Sequence, residues 1–314
     1  MYQRIVSLAP SNTEIVYALG GEDKLVACTR YCDFPAEAKK KPRIGGWLDI
    51  NDELVKSYKP DLILTSTFVQ NKITGRYRKN KMNIVSVMPT TVNGVFDSII
   101  SIGGLVDKKR EANEVINSMK NKIKEMNNKI ENHNKQNAMN NNCSTNKNSA
   151  DNKINFSERK MIINYKMNFN DKNALNKNSI ISNKNQKNNT SKINKPRVYI
   201  EEWHKPPTVS GNWVPNLVKI AGGDYSLIKA GVHSREVTTK QIQKYNPEII
   251  VISICGMSDK VPKEWITKRK GWENLSAVKN NKVFVFDDSL LNRPGPRLMI
   301  GLEKLARIIH PECF

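Results

Sequence analysis

The side chains in this chain best suited to gripping a large ligand are indoles and imidazoles, and they crowd into one stretch. Residues 201–223, EEWHKPPTVSGNWVPNLVKIAGG, place Trp203, His204 and Trp213 close together, directly after the apolar run Val198–Ile200. An indole offers a broad apolar face at little rotamer cost. A neutral imidazole can coordinate a cobalt or iron centre. Pro206 and Pro207 lack N–H groups and fix their own φ. The chain is therefore expected to leave a strand at Trp203, turn through Ser210-Gly211 and start a helix near Pro215. A loop in that position is where α/β folds place ligand contacts. The plainer alternative is that the indoles pack only on each other and that His204 bonds only to backbone.

Catalytic chemistry has no such concentration. No nucleophile stands beside a base, and no glycine-rich loop is placed to cradle phosphate. The pairs Gly20-Gly21, Gly45-Gly46, Gly103-Gly104 and Gly222-Gly223 stop helices or shape loops. Five cysteines are an odd number and sparse for 314 residues, so a disulfide framework is not expected. Cys28 and Cys32 form a CxxxC without a second pair, a weak metal pattern, and Cys255 follows an apolar run as a small buried residue would. No catalytic residues, no metal site and no required cofactor are expected.

The elements that must position these side chains follow from alternating signals. Arg4–Leu8, Leu25–Cys28, Asp61–Thr65 and Asn83–Val87 read as strands. Between them, helices are expected after Pro10, with Ser11 or Asn12 as cap and Glu14 facing the helix dipole, and over Ile50–Tyr58. A second series begins at Arg197. It has strands at Val198–Glu201, Glu248–Ile254 and Val283–Phe286, and helices at Pro215–Ala221, Thr238–Tyr245 and Arg297–Ile309. Tyr58-Lys-Pro-Asp-Leu-Ile-Leu recurs in outline as Tyr245-Asn-Pro-Glu-Ile-Ile-Val, so the halves look like two versions of one βα unit. Four regions are expected: an α/β lobe over 1–104, a linking helix over 105–126, a low-complexity insertion over 127–195 and a second lobe over 196–314. About a third of the insertion is Asn, without apolar period, which predicts disorder and no part in binding.

A net charge of +21 raises nucleic acid or an anionic membrane as partners. Residues 127–195 alone hold 13 Lys+Arg against 4 Asp+Glu, and no basic stripe interleaved with aromatics runs through the rest. Bland solvation is the better reading, with no nucleic-acid partner. The opening MYQRIVSLAPSNTEIVYALG reads as a strand and a helix, not as a charged leader with a cleavage site, and no apolar run nears the ~20 residues of a membrane span. A cytoplasmic protein without membrane insertion is expected.

Several motifs, in order, resemble one family. IVSLAPSNTEIVYALG, YCDFP, GGWLDINDELV and KPDLIL at the front are similar to the substrate-binding proteins of ABC importers for cobalamin and iron chelates. EEWHKPPTVSGNWVPNLVKIAGG and LLNRPGPRLMIGLEKLARIIHPE at the back resemble the cobalamin-binding branch. The resemblance covers everything except 127–195. It implies an α/β fold of two Rossmann-like lobes with parallel sheets joined by a single long helix, and a non-enzymatic monomer holding a cobalamin-like corrinoid in the cleft. It further implies ligand contacts at Tyr31, Trp47 and Phe68 from the first lobe. Trp203, His204, Trp213, His233, Arg235, Asn292 and Arg293 are implied from the second. Ser66 and Ser234 stand where the family carries aromatics, and Leu290 and Leu291 where it often has aromatic or acidic groups. Docking to an ABC permease uses one acidic residue per lobe. Glu53 fits the first, Lys240 occupies the second, and Glu236 or Glu248 are the acids that could substitute. Binding of a siderophore or haem-type iron chelate, delivery as an intracellular carrier, and a tetrapyrrole chelatase-like enzyme remain as alternatives.

Overall fold

The computed structural model describes residues 2–145 and 195–314; the side chains of Phe68 and of 137–145 lie outside that description. Residues 1–133 and 195–314 form one unit and residues 134–194 another. The chain opens with β1 (Ile5–Ser7), α1 (Pro10–Ala18), β2 (Leu25–Cys28), α2 (Asp52–Ser57), β3 (Leu62–Ser66), α3 (Asn71–Lys79), β4 (Ile84–Val87) and α4 (Val92–Leu105). The strands pair in parallel in the order β2-β1-β3-β4. Every residue of β1 and β3 is buried, as continuous apolar strands covered on both faces require. The start of α1 differs from expectation. Its N-cap is Ala9 with no side-chain cap, and Ser11 and Asn12 are buried within the helix. Asn12 Nδ2 instead donates to the Thr65 carbonyl at 3.0 Å, tying α1 to β3.

α5 (Lys109–Thr145) follows, and it outruns the expected end at residue 126. Ala112, Ile116, Met119, Met126 and Ile130 are all buried at helical spacing, so the apolar stripe continues into the Asn-rich stretch. Asn is a mediocre helix former, yet its cost of at most ~0.7 kcal/mol per residue is offset where the other face packs. Residues 127–145 of the expected insertion thus belong to α5, and 146–194 lie outside the described residues.

The second sheet comprises β5 (Val198–Trp203), β6 (Thr208–Val209), β7 (Arg235–Glu236), β8 (Ile249–Ile252) and β9 (Val283–Val285), ordered β7-β6-β5-β8-β9. β5, β8 and β9 are parallel, while β6 and β7 add an antiparallel edge. Consequently the chain does not simply leave the sheet at Trp203. It folds back at Thr208 as a hairpin, with Trp203 opposite Thr208 and Glu201 opposite Val209. Helices α6 (Val214–Ile220), α7 (Thr239–Tyr245), α8 (Glu264–Thr267), α9 (Ser276–Lys279) and α10 (Leu298–Ile309) complete the lobe. Among the described residues, no helix is long and apolar enough to cross a membrane.

Candidate functional site

Parallel strands deliver their loops to one edge, and on the first lobe that edge is apolar. Tyr31, Phe34, Leu48, Val69 and Met88 are exposed, and each lies in a loop beyond the end of β2, β3 or β4. They are five of the nine large hydrophobics exposed among the described residues, so the exposure is localised rather than scattered. Tyr31 is 48% exposed with the Arg30 guanidinium 6.0 Å from its ring. Trp47 is half-buried. Its loop needs Gly45 at φ 119°, where a Cβ would strike the Asp49 carbonyl. A residue the motifs did not single out fixes this edge. Buried Gln70 donates to the Leu8 and Trp47 carbonyls (2.8 and 3.0 Å) and accepts from the Ser66 N–H (2.9 Å). Beside it lies a hollow of about 720 Å³ bounded by Leu48, Val69, Asn71, Lys72, Ile73 and Arg76.

The corresponding edge of the second lobe is polar. Trp203 is 51% exposed at the end of β5. His204 stacks on Trp265 with ring centres 4.2 Å apart. Its Nδ1 faces Arg269 Nη2 at 2.7 Å; a guanidinium has only donors, so this nitrogen accepts. Burial pushes the imidazole below its usual range and the Arg269 charge adds to this, against an opposing pull from Glu201. With Arg269 donating to it, the Nδ1 lone pair of His204 is engaged within the protein. Behind it, fully buried Glu201 accepts both Arg269 Nη1 and Nη2 at 2.6 Å and the Tyr199 hydroxyl at 3.0 Å. His204, Trp265 and Arg269 also line a second hollow of about 350 Å³. Each hollow is bounded by one lobe, so neither brings Tyr31 and Trp47 together with Trp203 and His204.

Trp213 is 5% exposed and donates its indole N–H to the Leu291 carbonyl at 2.7 Å, which makes it a core residue of the lobe. Asn292 Nδ2 donates to the Ser253 carbonyl (2.8 Å) and Cys255 Sγ (3.2 Å). Asn292 Oδ1 and Ser253 Oγ are buried without a hydrogen-bond partner among the described residues. Ser234, in the family's aromatic position, donates to Glu202 at 2.6 Å, and Ser210 donates to the same oxygen at 2.9 Å. Burial raises the Glu202 carboxyl above the usual carboxylate range against these two bonds. His233 and Arg235 are exposed; His233 Nδ1 lies 3.0 Å from Asn212 Oδ1, and Arg235 reaches the Leu227 carbonyl at 2.9 Å.

The two lobes are joined at this edge by charge. Arg293 Nη1 donates to Glu14 Oε1 (2.9 Å) and Asp33 Oδ1 (2.5 Å), while Arg297 donates from Nε and Nη2 to Glu14 (2.9 and 2.7 Å). The Arg297 guanidinium also lies 4.0 Å from the Phe34 ring centre. Burial works to raise the Asp33 carboxyl, but hydrogen bonding and charge from Arg293 outweigh it and hold it below the usual range. Glu14 serves this junction instead of a helix dipole, and the Arg293 charge is met by the chain's own carboxylates. On the outer surface, Glu53 in α2 and Lys240 in α7 are both exposed, and Glu236 is exposed on β7. Glu248 is committed to Arg197, whose N–H it accepts at 3.0 Å.

Two α/β sheets joined by one long helix, with strand-end loops meeting between them, define a two-lobed binding-protein architecture. Residues 5–148 and 184–290 match the family described as periplasmic binding protein, and the chain belongs to that family. A Bacillus subtilis relative, an uncharacterized ABC transporter substrate-binding lipoprotein, is 28% identical over 99% of this chain and 81% of its own. Among solved structures, the periplasmic vitamin B12 binding protein BtuF of Vibrio cholerae aligns with a TM-score of 0.65 at 20% identity, covering 99% of this chain and 97% of that one. A periplasmic heme binding protein from Pseudomonas aeruginosa aligns at 0.70 and 16%, covering 99% and 94%. These relatives are named as binding proteins. A lipoprotein and two periplasmic proteins give the expectation of a cytoplasmic location no support.

Proposed function

We propose that this protein binds one metal-chelate macrocycle of the corrinoid class between its lobes, without turnover, and presents it to an ABC permease outside the cytoplasm. The observation that carries this reading is the run of exposed rings and aliphatic groups on one edge of the first sheet. A flat, amphiphilic macrocycle gains from such area and needs only a few polar partners for its amides and phosphate. On this reading Tyr31 and Trp47 face the ring system and Trp203 covers it from the other side. Asn292 and Ser253 meet its polar rim, with His233 and Arg235 further out. His204, Trp213 and Arg293 hold the second edge in shape rather than touching ligand. The Vibrio cholerae protein named for vitamin B12 supports the ligand class. Docking on the permease is asymmetric, with Glu53 on one lobe and Glu236 as the available acid on the other, because Lys240 repels an arginine. The unit acts as a monomer.

Titrating the full chain with cyanocobalamin, followed by calorimetry and by the corrinoid absorption, should give one saturable site and no new species over time. Absence of heat and of spectral change would remove the corrinoid reading, and appearance of a differently metallated product would replace it with a chelatase. One observation favours a second ligand: Tyr31 is half in solvent with Arg30 beside its ring, and a tyrosine oxygen is one of the ligands that haem iron accepts. Haem bound this way would show a charge-transfer band lost in Tyr31→Phe, a change that leaves corrinoid stacking nearly intact.

A further inference from the structure

Two of the four histidines lie far from the inter-lobe edge, at the terminal turn Pro311–Cys313. A nitrogen of His133, a carboxylate oxygen of Glu312 and the Cys313 sulfur lie within 4.8 Å of one another. We infer that these three side chains form a site for one divalent transition-metal ion of the zinc class, which fastens the terminal turn to α5. Nitrogen, thiolate and carboxylate together are the donor set such an ion takes, whereas calcium and magnesium call for oxygen alone. Donors on one tetrahedral ion stand about 3.5 Å apart at zinc–ligand lengths near 2.0–2.3 Å, so closing the set asks for about 1 Å of side-chain movement. A water completes the coordination.

The surroundings hold Glu312 and fasten the terminal turn between α5 and α10. His310 Nδ1 lies 3.0 Å from Glu312 Oε1 and its Nε2 lies 3.3 Å from the Gly222 carbonyl, so Glu312 is backed by a ring that is itself anchored. The Phe314 ring lies between Lys129 of α5 and Arg307 of α10, each 5.1 Å from its centre. Lys122 of α5 pairs with Glu303 of α10 at 2.8 Å. Lys122, Lys129 and His133 are spaced by seven and four residues, which sets them on one helix face toward the terminal turn. Glu312 is exposed and His133 and Cys313 are half-exposed, leaving a path for a hydrated ion. The site is remote from the ligand edge. Gly222 follows the C-terminal end of α6, whose opposite end carries Asn216, 3.5 Å from the Val92 N–H of the first lobe.

The test uses the full chain without an affinity tag, with cobalt(II) as a coloured stand-in and zinc(II) as competitor. One equivalent of cobalt should produce a thiolate-to-metal charge-transfer band and tetrahedral d–d absorption, both erased by zinc. Cys313→Ser should abolish the charge transfer, and His133→Ala should weaken binding by about 10- to 100-fold. His310→Ala should cost about 10-fold through Glu312. Cys28→Ser, Cys143→Ser and Cys255→Ser should leave the band unchanged, with circular dichroism confirming that all variants fold. A chain that shows no thiolate band at one equivalent, or a band that survives Cys313→Ser, overturns the assignment. Corrinoid affinity should be the same with and without zinc.

Discussion

The two facing edges of this protein solve opposite problems. The first lobe leaves Tyr31, Phe34, Leu48, Val69 and Met88 in solvent on loops that Gln70 and Gly45 pin from behind. The second lobe draws most of its functional-looking groups inward. Trp213 is core, His204 is engaged by Arg269 and Trp265, and Glu202 is tied to Ser210 and Ser234, while Asn292 Oδ1 and Ser253 Oγ alone keep this edge from being satisfied throughout among the groups named here. Exposed apolar area has a driving force to gain from a guest; a satisfied polar network has none. The difference teaches that residue type alone does not mark a contact, since an indole on one edge can be wall and an indole on the other foundation.

The largest effect should come from treating the indole of the second edge as foundation. Trp213→Ala removes a buried ring and leaves the Leu291 carbonyl unpaired, which should cost about 3–5 kcal/mol in urea unfolding. An unchanged midpoint would mean that the ring is a surface contact after all. Comparable in size is Glu14→Gln, which leaves Arg297 without its carboxylate and Arg293 with Asp33 alone. Removing one member of a largely buried ionic cluster typically costs about 3–5 kcal/mol, here lowered by the 14–17% exposure of the two arginines. Tyr31→Ala should behave in the opposite way. Unfolding should shift by no more than about 0.5 kcal/mol, since the ring is half in solvent, while macrocycle affinity should fall about tenfold or more. If Tyr31→Ala destabilises and Trp213→Ala only weakens binding, the contrast between the edges is reversed.

The sheet strands were legible because parallel strands covered on both faces read as continuous apolar runs, as Ile249–Ile252 does. Strands β6 and β7 were not, since two residues apiece carry no period, and with them went the hairpin that turns Trp203 outward. The end of α5 was misplaced because composition changes at residue 127 while the buried stripe continues to Ile130. α3 was missed for a related reason: only Ile73, Thr74 and Tyr77 of its nine residues are buried, and four of the other six are cationic. The motif residues sit mostly on strand-end loops, yet what each one touches depends on partners far away. Arg293 looks like an anion ligand until Glu14, 279 residues earlier, is found against it. His204 looks like a metal ligand until Arg269 is found donating to its Nδ1.

The smallest expected effect concerns the polar edge alone. Burial raises the Glu202 carboxyl above its unfolded value, near 4.3 for a free glutamate. Below that value both states hold the proton and the group contributes nothing. As pH rises, the unfolded chain releases its proton first, so the folded state is penalised by a growing amount until Glu202 itself ionises. Glu202→Gln cannot ionise and keeps an oxygen that accepts from Ser234 and Ser210. The variant should therefore gain stability relative to the parent as pH is raised from 4 toward 8, with the two curves converging at the acid end. Curves that run parallel across this range would show that the carboxyl is not desolvated. The contrast between wall and foundation would then rest on Trp213 and on the cluster of Glu201, Arg269 and His204, without Glu202.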